Sequence, residues 1–228
     1  MSEQMTAAAR LVVVNAGVSD PSTTRMLADR AAQKVLDLLR EGGVAATVSV
    51  IDLAPLAADI ARALVAGFPG TAVQEAIDQV AAADALIAAT PVYKAGLSGL
   101  FKSFVDLLDD DLLIATPVIL AATAGTARHA MVVDDHLRPL FAFLRAIPVP
   151  TSLFAAPDDW SSPALTGRIE RAAHELAHLV RAGVRRSIQG AAWRGYQHRF
   201  DGNATSAEHT AADVDFDTDL MRLAAGGH

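Results

Sequence analysis

The most constraining feature of this sequence is a fivefold alternation of short apolar segments with longer amphipathic ones. Each apolar segment is rich in valine, leucine, isoleucine or alanine, which is typical of a strand buried on both faces. Because strand–helix–strand units form parallel sheets whose helices cover both faces, the alternation predicts a three-layer α/β sandwich. The predicted strands are 11–14, 44–51, 84–90, 117–123 and 149–155, and the predicted helices are 23–40, 56–65, 71–83, 98–108, 131–146 and 162–187.

The alternation ends near Gly190, where the composition becomes polar and acidic. We therefore expect one domain over residues 1–190 and an acidic C-terminal arm or tail over residues 191–228. From Asp201 onward there are six acidic residues and one basic residue, Arg222, so this part supplies −5 of the net charge of −7. The tail is expected either to be a disordered end or to pack on a neighbouring subunit.

Composition and charge exclude several classes of function. The chain has no cysteine, which rules out disulfides, cysteine nucleophiles and iron–sulfur clusters. It lacks the clustered lysine and arginine that neutralise nucleic-acid phosphates, so no nucleic-acid partner is expected. The longest uncharged stretch, 112–127, is 16 residues long, and a membrane span needs about 20. No membrane partner is therefore expected, and without a signal-peptide pattern the expected location is the cytoplasm.

The loop after the first predicted strand resembles a phosphate-binding turn. It carries Ser19, Ser22, Thr23 and Thr24 immediately before a helix, where hydroxyl groups and free backbone N–H groups favour an anion. The loop has neither the G-x-G-x-x-G pattern of dinucleotide-binding proteins nor the P-loop of NTPases. A monophosphate fits it better, although Ser22 or Thr23 also suits the simpler role of helix cap.

Two further loops are expected at the same edge of the sheet, because ligands bind beyond the carboxyl ends of parallel strands. The third predicted strand ends in Thr90-Pro91-Val92-Tyr93-Lys94, on whose irregular backbone a flat ring fits. The fourth ends in Gly125-Thr126-Ala127-Arg128-His129, a turn of mostly small residues that permits close approach. The first, third and fourth loops are therefore predicted to converge on one ligand.

Over about residues 11–156 the chain resembles the NADPH-dependent FMN reductase family, and most of all the branch that supplies reduced flavin to two-component monooxygenases. The motifs that carry the resemblance are Pro91-Val92-Tyr93-Lys94, Gly99, Lys102, Asp106, Gly125-Thr126, His129, Asp134 and Leu137-Arg138-Pro139. The resemblance implies a flavodoxin-like fold whose five parallel strands have the order 2-1-3-4-5. It also implies hydride transfer from NADPH or NADH to FMN, a monooxygenase that receives the reduced FMN, and a homo-oligomer, either a dimer or a tetramer.

By the same resemblance, Ser19, Ser22, Thr23 and Thr24 would hold the FMN phosphate. The flavin ring would be bordered by Pro91, Val92, Tyr93 and Gly125, with Lys94, Thr126 and His129 as further cofactor contacts. The phosphate loop of the family usually reads Gly-Ser-x-Arg, whereas this chain has Gly17-Val18-Ser19-Asp20. The missing arginine predicts weak, exchangeable flavin, unless Arg25 or additional hydroxyl groups take its place.

Three other patterns suggest different chemistry. The H-E-x-x-H zinc motif is matched by His174-Glu175-Leu176-Ala177-His178. The apolar stripe of this helix, however, places both histidines on the solvent-exposed face. Ser98 lacks the second glycine of a nucleophile elbow, which favours a helix cap. Asp52 ends the second strand and is expected to be a turn or cap residue. The alternatives to an FMN reductase are therefore a flavodoxin-type electron carrier, a quinone or azo reductase and, remotely, a zinc peptidase.

Overall fold

In the computed structural model, which describes residues 8–192, the strands form one sheet with helices on both faces. The central strands are parallel in the order β2-β1-β3-β5, and two short strands extend the sheet beyond β5. This agrees with the predicted flavodoxin-like order. The strands are β1 (Ala9–Asn15), β2 (Ala46–Asp52), β3 (Ala85–Tyr93), β4 (Gly96–Leu97), β5 (Pro117–Thr123), β6 (Ile147–Pro148) and β7 (Leu153–Ala155).

Two apolar cores, one on each face of the sheet, hold the layers together. Side chains alternate along a strand, so Val12 of β1 packs in one core and Val13 in the other. Four helices (α2–α5) contribute to the first core, and two (α1 and α6) to the second. The helices are α1 (Thr23–Glu41), α2 (Ala57–Ala66), α3 (Thr71–Ala81), α4 (Gly99–Val105), α5 (Arg138–Phe143), α6 (Pro163–Arg181) and α7 (Val184–Ala192).

The sheet contains seven strands instead of the predicted five, partly because two short strands stand where the single strand 149–155 was predicted. β6 lies just before the predicted range and β7 forms its last three residues, and both pair in parallel with β5. Pro150 lies between them and has no N–H to donate to a ladder. The backbone N–H of Thr151 bonds instead to the carboxylate of Glu175 on α6, at 2.8 Å. The break between β6 and β7 therefore has two causes: Pro150 has no N–H, and the N–H of Thr151 bonds to a side chain instead of to β5.

The other additional strand, β4, is the second arm of a tight hairpin. It pairs antiparallel with the end of β3, with Tyr93 opposite Gly96. The two connecting residues, Lys94 and Ala95, have φ values of 51° and 62°. Positive φ at both central positions defines a type I′ turn, which Asn-Gly usually supplies. Because Lys-Ala does not carry that signal, the sequence predicted only an irregular loop.

The helix predicted over 162–187 is two helices. Gly183, with φ of 61°, separates α6 from α7 and provides the left-handed residue that ends many helices. From there α7 runs along the amino ends of the strands. Arg185 donates to the carbonyl oxygens of Ala81, at 2.9 Å, and Ala83, and Gln189 donates to the carbonyl of Ile114 at 3.0 Å.

A short π-helical turn, Val133–Leu137, precedes α5. The backbone N–H of Arg138 bonds to the carbonyl of Val133, five residues earlier. Pro139 follows and cannot donate, which suits a wider turn at this position. The predicted helix 131–146 is therefore divided between this turn and α5.

Among residues 8–192, no single helix is both long and apolar enough to cross a membrane. Two helical segments, Ala54–Ala66 and Thr71–Ala81, satisfy the length and hydropathy requirement only when joined, and they are bent by 92°. The predicted C-terminal arm, 191–228, lies outside the described residues apart from the last turn of α7. Its separation from the domain stays a prediction.

Candidate active site

The carboxyl ends of β1, β3, β5 and β7 border one cleft with a volume of 420 Å³. Small-molecule sites commonly have volumes of roughly 300–1,000 Å³. No charged side chain lines the cleft among the residues that the structure describes. Its walls are hydroxyl groups, glycines, apolar side chains and one tryptophan.

Seven of the eleven predicted cofactor-binding residues line this cleft, and they come from all three predicted loops. The four others do not line it, although three of them, Ser22, Lys94 and Thr126, are next in sequence to a residue that does. Those in the lining are Ser19, Thr23, Thr24, Pro91, Val92, Tyr93 and Gly125, and those outside it are Ser22, Lys94, Thr126 and His129.

The start of α1 presents polar groups to the cleft. Ser22 is the N-cap residue, and its Oγ accepts a hydrogen bond from the backbone N–H of Arg25 at 3.2 Å. Ser22 is therefore occupied as a cap. Within residues 8–192, the backbone N–H groups of Thr23 and Thr24 have no hydrogen-bond partner. Two free donors at the N-terminus of a 19-residue helix favour an anionic group.

Gly17 allows the first loop, residues 16–22, to close on itself. A Cβ atom at position 17 would lie 2.0 Å from Ser22 Oγ and 3.1 Å from Thr24 Cβ. Only glycine fits there without moving the helix cap. The absence of a side chain therefore determines how closely the loop approaches α1.

Thr24 also joins α1 to the centre of the sheet. Its Oγ1 lies 2.7 Å from Oγ1 of Thr123, the last residue of β5, and both side chains are buried. Thr123 lines the cleft, although the sequence analysis did not single it out. The signal was present, because a polar residue that ends a buried parallel strand faces the ligand edge of the sheet.

The second loop is held by a side chain at the end of β3. The hydroxyl of Thr90, which is fully buried, accepts from the backbone N–H of Ser98 at 3.0 Å and donates to the carbonyl of Pro91 at 3.0 Å. Ser98 in turn caps α4 by accepting from the backbone N–H of Phe101 at 3.1 Å. This confirms the predicted cap and fixes the wall that carries Pro91, Val92 and Tyr93.

A fourth wall, after β7, is missing from the sequence prediction. It consists of Ala155, Pro157 and Trp160. Arg168 donates to the carbonyl of Phe154 at 3.2 Å and to the carboxylate of Asp159 at 3.0 Å, which holds the turn in place. The guanidinium of Arg30 lies 6.0 Å from the centre of the Trp160 ring. A lone tryptophan directly after the last strand was the available signal.

Arg25 does not take the place of the missing arginine of the phosphate loop. Its Nε donates to Asp29 and its Nη1 to Asp52, each at 2.7 Å. The pKa of Arg25 is raised above its usual value, first by the bond to Asp29 and then, against an opposing effect of burial, by Asp52. The expectation that Asp52 is a turn or cap residue is wrong, since its carboxylate binds Arg25 and Asn15.

The H-E-x-x-H motif is built into the surface of α6. His174 and His178 are exposed, and Nδ1 of His178 lies 2.8 Å from the carbonyl oxygen of His174. Both carboxylate oxygens of Glu175 accept from Thr151, at 2.7 and 2.8 Å. Over residues 8–192, no three His, Asp or Glu side chains lie close enough to hold a metal ion. The glutamate that would activate water instead anchors the split edge of the sheet.

Comparison with known proteins agrees with the geometry of the cleft. Residues 9–161 match the model of the family described as NADPH-dependent FMN reductase. The FMN reductase (NADPH) of Pseudomonas aeruginosa is 37% identical over 182 residues, which cover 77% of this chain and 94% of that protein. The NADH-dependent FMN reductase SfnE of Pseudomonas putida is 36% identical, covering 75% of this chain and 92% of the relative.

A solved structure extends the similarity to three dimensions. The crystal structure of an oxidoreductase from Corynebacterium diphtheriae superposes with a TM-score of 0.75 at 43% sequence identity. The superposition covers 78% of this chain and 99% of that one. The chain therefore belongs to the NADPH-dependent FMN reductase family, and it is a flavodoxin-like oxidoreductase that uses FMN and NAD(P)H.

Proposed function

We propose that the cleft binds FMN and that NAD(P)H reduces it there, with the reduced FMN passing on to a partner monooxygenase. The observation that carries the proposal is that the hydroxyl-rich start of α1 and the apolar loops after β3 and β5 line the same cleft. These two surfaces match the two ends of FMN, a phosphate and a flat aromatic ring.

The residues of the cleft fit FMN at both ends. Thr23 offers its hydroxyl, and Thr23 and Thr24 both offer free backbone N–H groups, for the phosphate oxygens. At the other end, an added Cβ at Gly125 would meet no atom within 4 Å, so the backbone there borders open space. Pro91 and Val92 supply a flat apolar wall of the kind that suits an aromatic ring.

When bound, FMN supplies the redox chemistry by accepting a hydride from the nicotinamide. The task of the chain is then to bind and to orient. Thr23 and Thr24 fix the phosphate end, and Pro91, Val92 and Gly125 fix the plane of the ring. Tyr93 and Val18 are half exposed at the rim of the cleft. The entrance is therefore open enough for a second flat ring to stack against the first.

Among residues 8–192, no charged side chain lines the cleft, which supports an exchangeable flavin. An arginine would give the phosphate charge-assisted, bidentate bonds, which hydroxyl groups do not equal. A protein that releases its flavin suits delivery to an oxygenase, whereas a flavodoxin-type carrier keeps its flavin bound. Two finer parts of this proposal, a monooxygenase partner and a homo-oligomer of two or four chains, rest on the family resemblance, and the cytoplasmic location rests on the sequence pattern alone.

Steady-state kinetics tests the activity. Purified protein is expected to oxidise NADPH or NADH at a rate that saturates with added FMN, and under anaerobic conditions to reduce a large excess of FMN over protein. Reduction of only one equivalent would indicate an electron carrier. The relatives are named for different coenzymes, NADPH in one and NADH in the other, so both are assayed. Sedimentation velocity measures the oligomeric state.

Gly125→Ala tests the placement of the ring. Because the added methyl group meets no protein atom within 4 Å, the unfolding midpoint should not change. If the ring lies against residue 125, the Kd for FMN should rise on the order of tenfold, since an extra methyl in a packed contact typically costs about 1–3 kcal/mol. Fluorescence titration of FMN measures the Kd.

The matched control is Gly99→Ala. A Cβ there also meets no atom within 4 Å, but Gly99 does not line the cleft. Its Kd for FMN should equal that of the unmodified protein. Equal affinities of the two variants would place the ring elsewhere.

A further inference from the structure

We propose that Asp52, at the end of β2, is a positioning residue for the phosphate-binding loop and that it acts through Asn15. The inference deepens the proposed function and rests on it, since the loop in question is the one that would hold the FMN phosphate. Asp52 does not line the cleft. Its role is therefore distinct from that of an acid at the end of a second strand that binds ribose directly.

The connection between the two residues is a direct hydrogen bond across neighbouring strands. Asn15 and Asp52 are register partners at the ends of β1 and β2. Nδ2 of Asn15 donates to Oδ1 of Asp52 at 2.8 Å. Asn15 is 2% exposed, so little water is available to its amide as a replacement for this partner.

The carboxylate determines which way the Asn15 amide faces. An ionised carboxylate only accepts hydrogen bonds, so the amide must direct its NH₂ group toward Asp52 and its oxygen away. That oxygen accepts from the backbone N–H of Gly17 at 3.1 Å. If the amide were reversed, its NH₂ group would face the N–H of Gly17, and two donors cannot form a hydrogen bond with each other. Asp52 thereby selects the orientation that holds the start of the loop.

Asp52 also contacts the far end of the loop. Its Oδ2 accepts from Nη1 of Arg25 at 2.7 Å, and the backbone N–H of the same Arg25 donates to the Ser22 cap. Ser22 Oγ in turn occupies the space where Gly17 would carry a Cβ. The carboxylate of Asp52 is thus connected to both ends of the loop, to Gly17 through Asn15 and to Ser22 through Arg25. The bond to Asn15 aligns the amide groups, and the ion pair to Arg25 is a supporting contact.

The test compares three variants by the NMR signal of the Gly17 amide in FMN-free protein and by the Kd for FMN. Asp52→Leu removes the acceptor and should expose the Gly17 amide to solvent exchange, raising the Kd about tenfold, as for a lost hydrogen bond to a charged group. Asp52→Asn keeps an acceptor oxygen for Asn15, so both the protection of the Gly17 amide and the Kd for FMN should stay close to those of the unmodified protein. Asp29→Asn, which alters only the other partner of Arg25, is the matched control and should leave both unchanged.

A double mutant separates action through Asn15 from a general structural role. Asn15→Ala should raise the Kd for FMN as Asp52→Leu does, and the two changes together should raise it no further. If the effects of the two changes on the Kd add up, the proposal is overturned. It is also overturned if Arg25→Met exposes the Gly17 amide to solvent exchange as much as Asp52→Leu does. Because the Gly17 signal is read without flavin, it tests the positioning role even if the protein fails to bind FMN.

Discussion

At the residue scale, the cleft depends on pairs of small polar side chains that satisfy one another. The hydroxyl groups of Thr24 and Thr123 are both buried and 2.7 Å apart. One of them donates and the other accepts, so neither is unsatisfied. The pair joins the first turn of α1 to the end of β5, and it therefore fixes the distance between these two walls of the cleft.

The replacement Thr123→Val should show the asymmetry of such a pair. It leaves the Thr24 hydroxyl buried without its partner, and we expect a loss of about 1–3 kcal/mol in the free energy of unfolding. The double variant Thr24→Val/Thr123→Val removes both polar groups and should recover part of that loss. Urea denaturation measures both. The single variant Thr24→Val is measured beside them, and a double variant that loses the sum of the two single effects would show that the hydroxyls do not act as a pair.

The predicted site residues that reach the cleft are those whose placement follows from their position at a strand or helix end. Thr23, Thr24, Pro91 and Gly125 lie at such ends and reach the cleft. Lys94 does not line the cleft, because it lies in a hairpin turn, with φ of 51°, that the sequence Lys-Ala does not predict. Trp160 was missed because its contribution depends on the Arg168 contacts, which join residues far apart in the sequence and leave no local pattern.

At the scale of elements, the π turn before α5 is joined to the split edge of the sheet by a small polar network. The carboxylate of Asp134 accepts from Arg138 at 2.9 Å and from Ser152 at 2.6 Å. Arg138 also donates to the carbonyl of Val149 at 3.2 Å. The hydrogen bonds missing where β6 and β7 are interrupted are therefore replaced in part by side chains from α5 and the turn before it.

This network predicts a pH-dependent stability. Burial alone would raise the pKa of Asp134, but the hydrogen bonds from Ser152 and Arg138, together with the charge of Arg138, lower it below its usual value. A carboxylate with a lowered pKa stabilises the fold above its unfolded pKa, and this stabilisation is lost as the pH falls through the folded value. Asp134→Asn should therefore lower the melting temperature at pH 7, with a difference that shrinks below about pH 4.

Thermal melts from pH 7 to pH 3 check this expectation, with the exposed neighbour Asp135→Asn as the control. The control should follow the unmodified protein throughout. A difference for Asp134→Asn that is constant over the whole range would contradict the role given to the ionised carboxylate.

Element boundaries such as the break between β6 and β7 were not predictable from the periodicity of the sequence, because they depend on Pro150 and on a distant glutamate, Glu175.

At the scale of the whole molecule, the order of the strands and the position of the cleft follow directly from the alternation of strands and helices. What the alternation does not encode is the charge of the site. The chain has a net charge of −7, whereas the cleft-lining residues in the described part of the chain carry no charge. Binding of the dianionic FMN phosphate is therefore expected to rely on short-range hydrogen bonds and on the start of α1.

Such a site predicts a weak dependence on salt. The Kd for FMN should change by less than about threefold between 50 and 500 mM salt, since no close ion pair is available to be screened. Fluorescence titration at several salt concentrations measures it, with Val18→Lys at the rim as the comparison that should introduce a steeper dependence. A steep dependence in the unmodified protein would place a cation at the phosphate.

The position of α7 has a practical consequence. Arg185 and Gln189 attach this helix to the edge of the sheet where the strands begin, which is the edge opposite the cleft. The described part of the chain therefore ends on the side away from the cleft. A tether to a solid support, or a fluorescent reporter, attached to an exposed position of α7 would lie on that remote side and leave the cleft open for continuous assay.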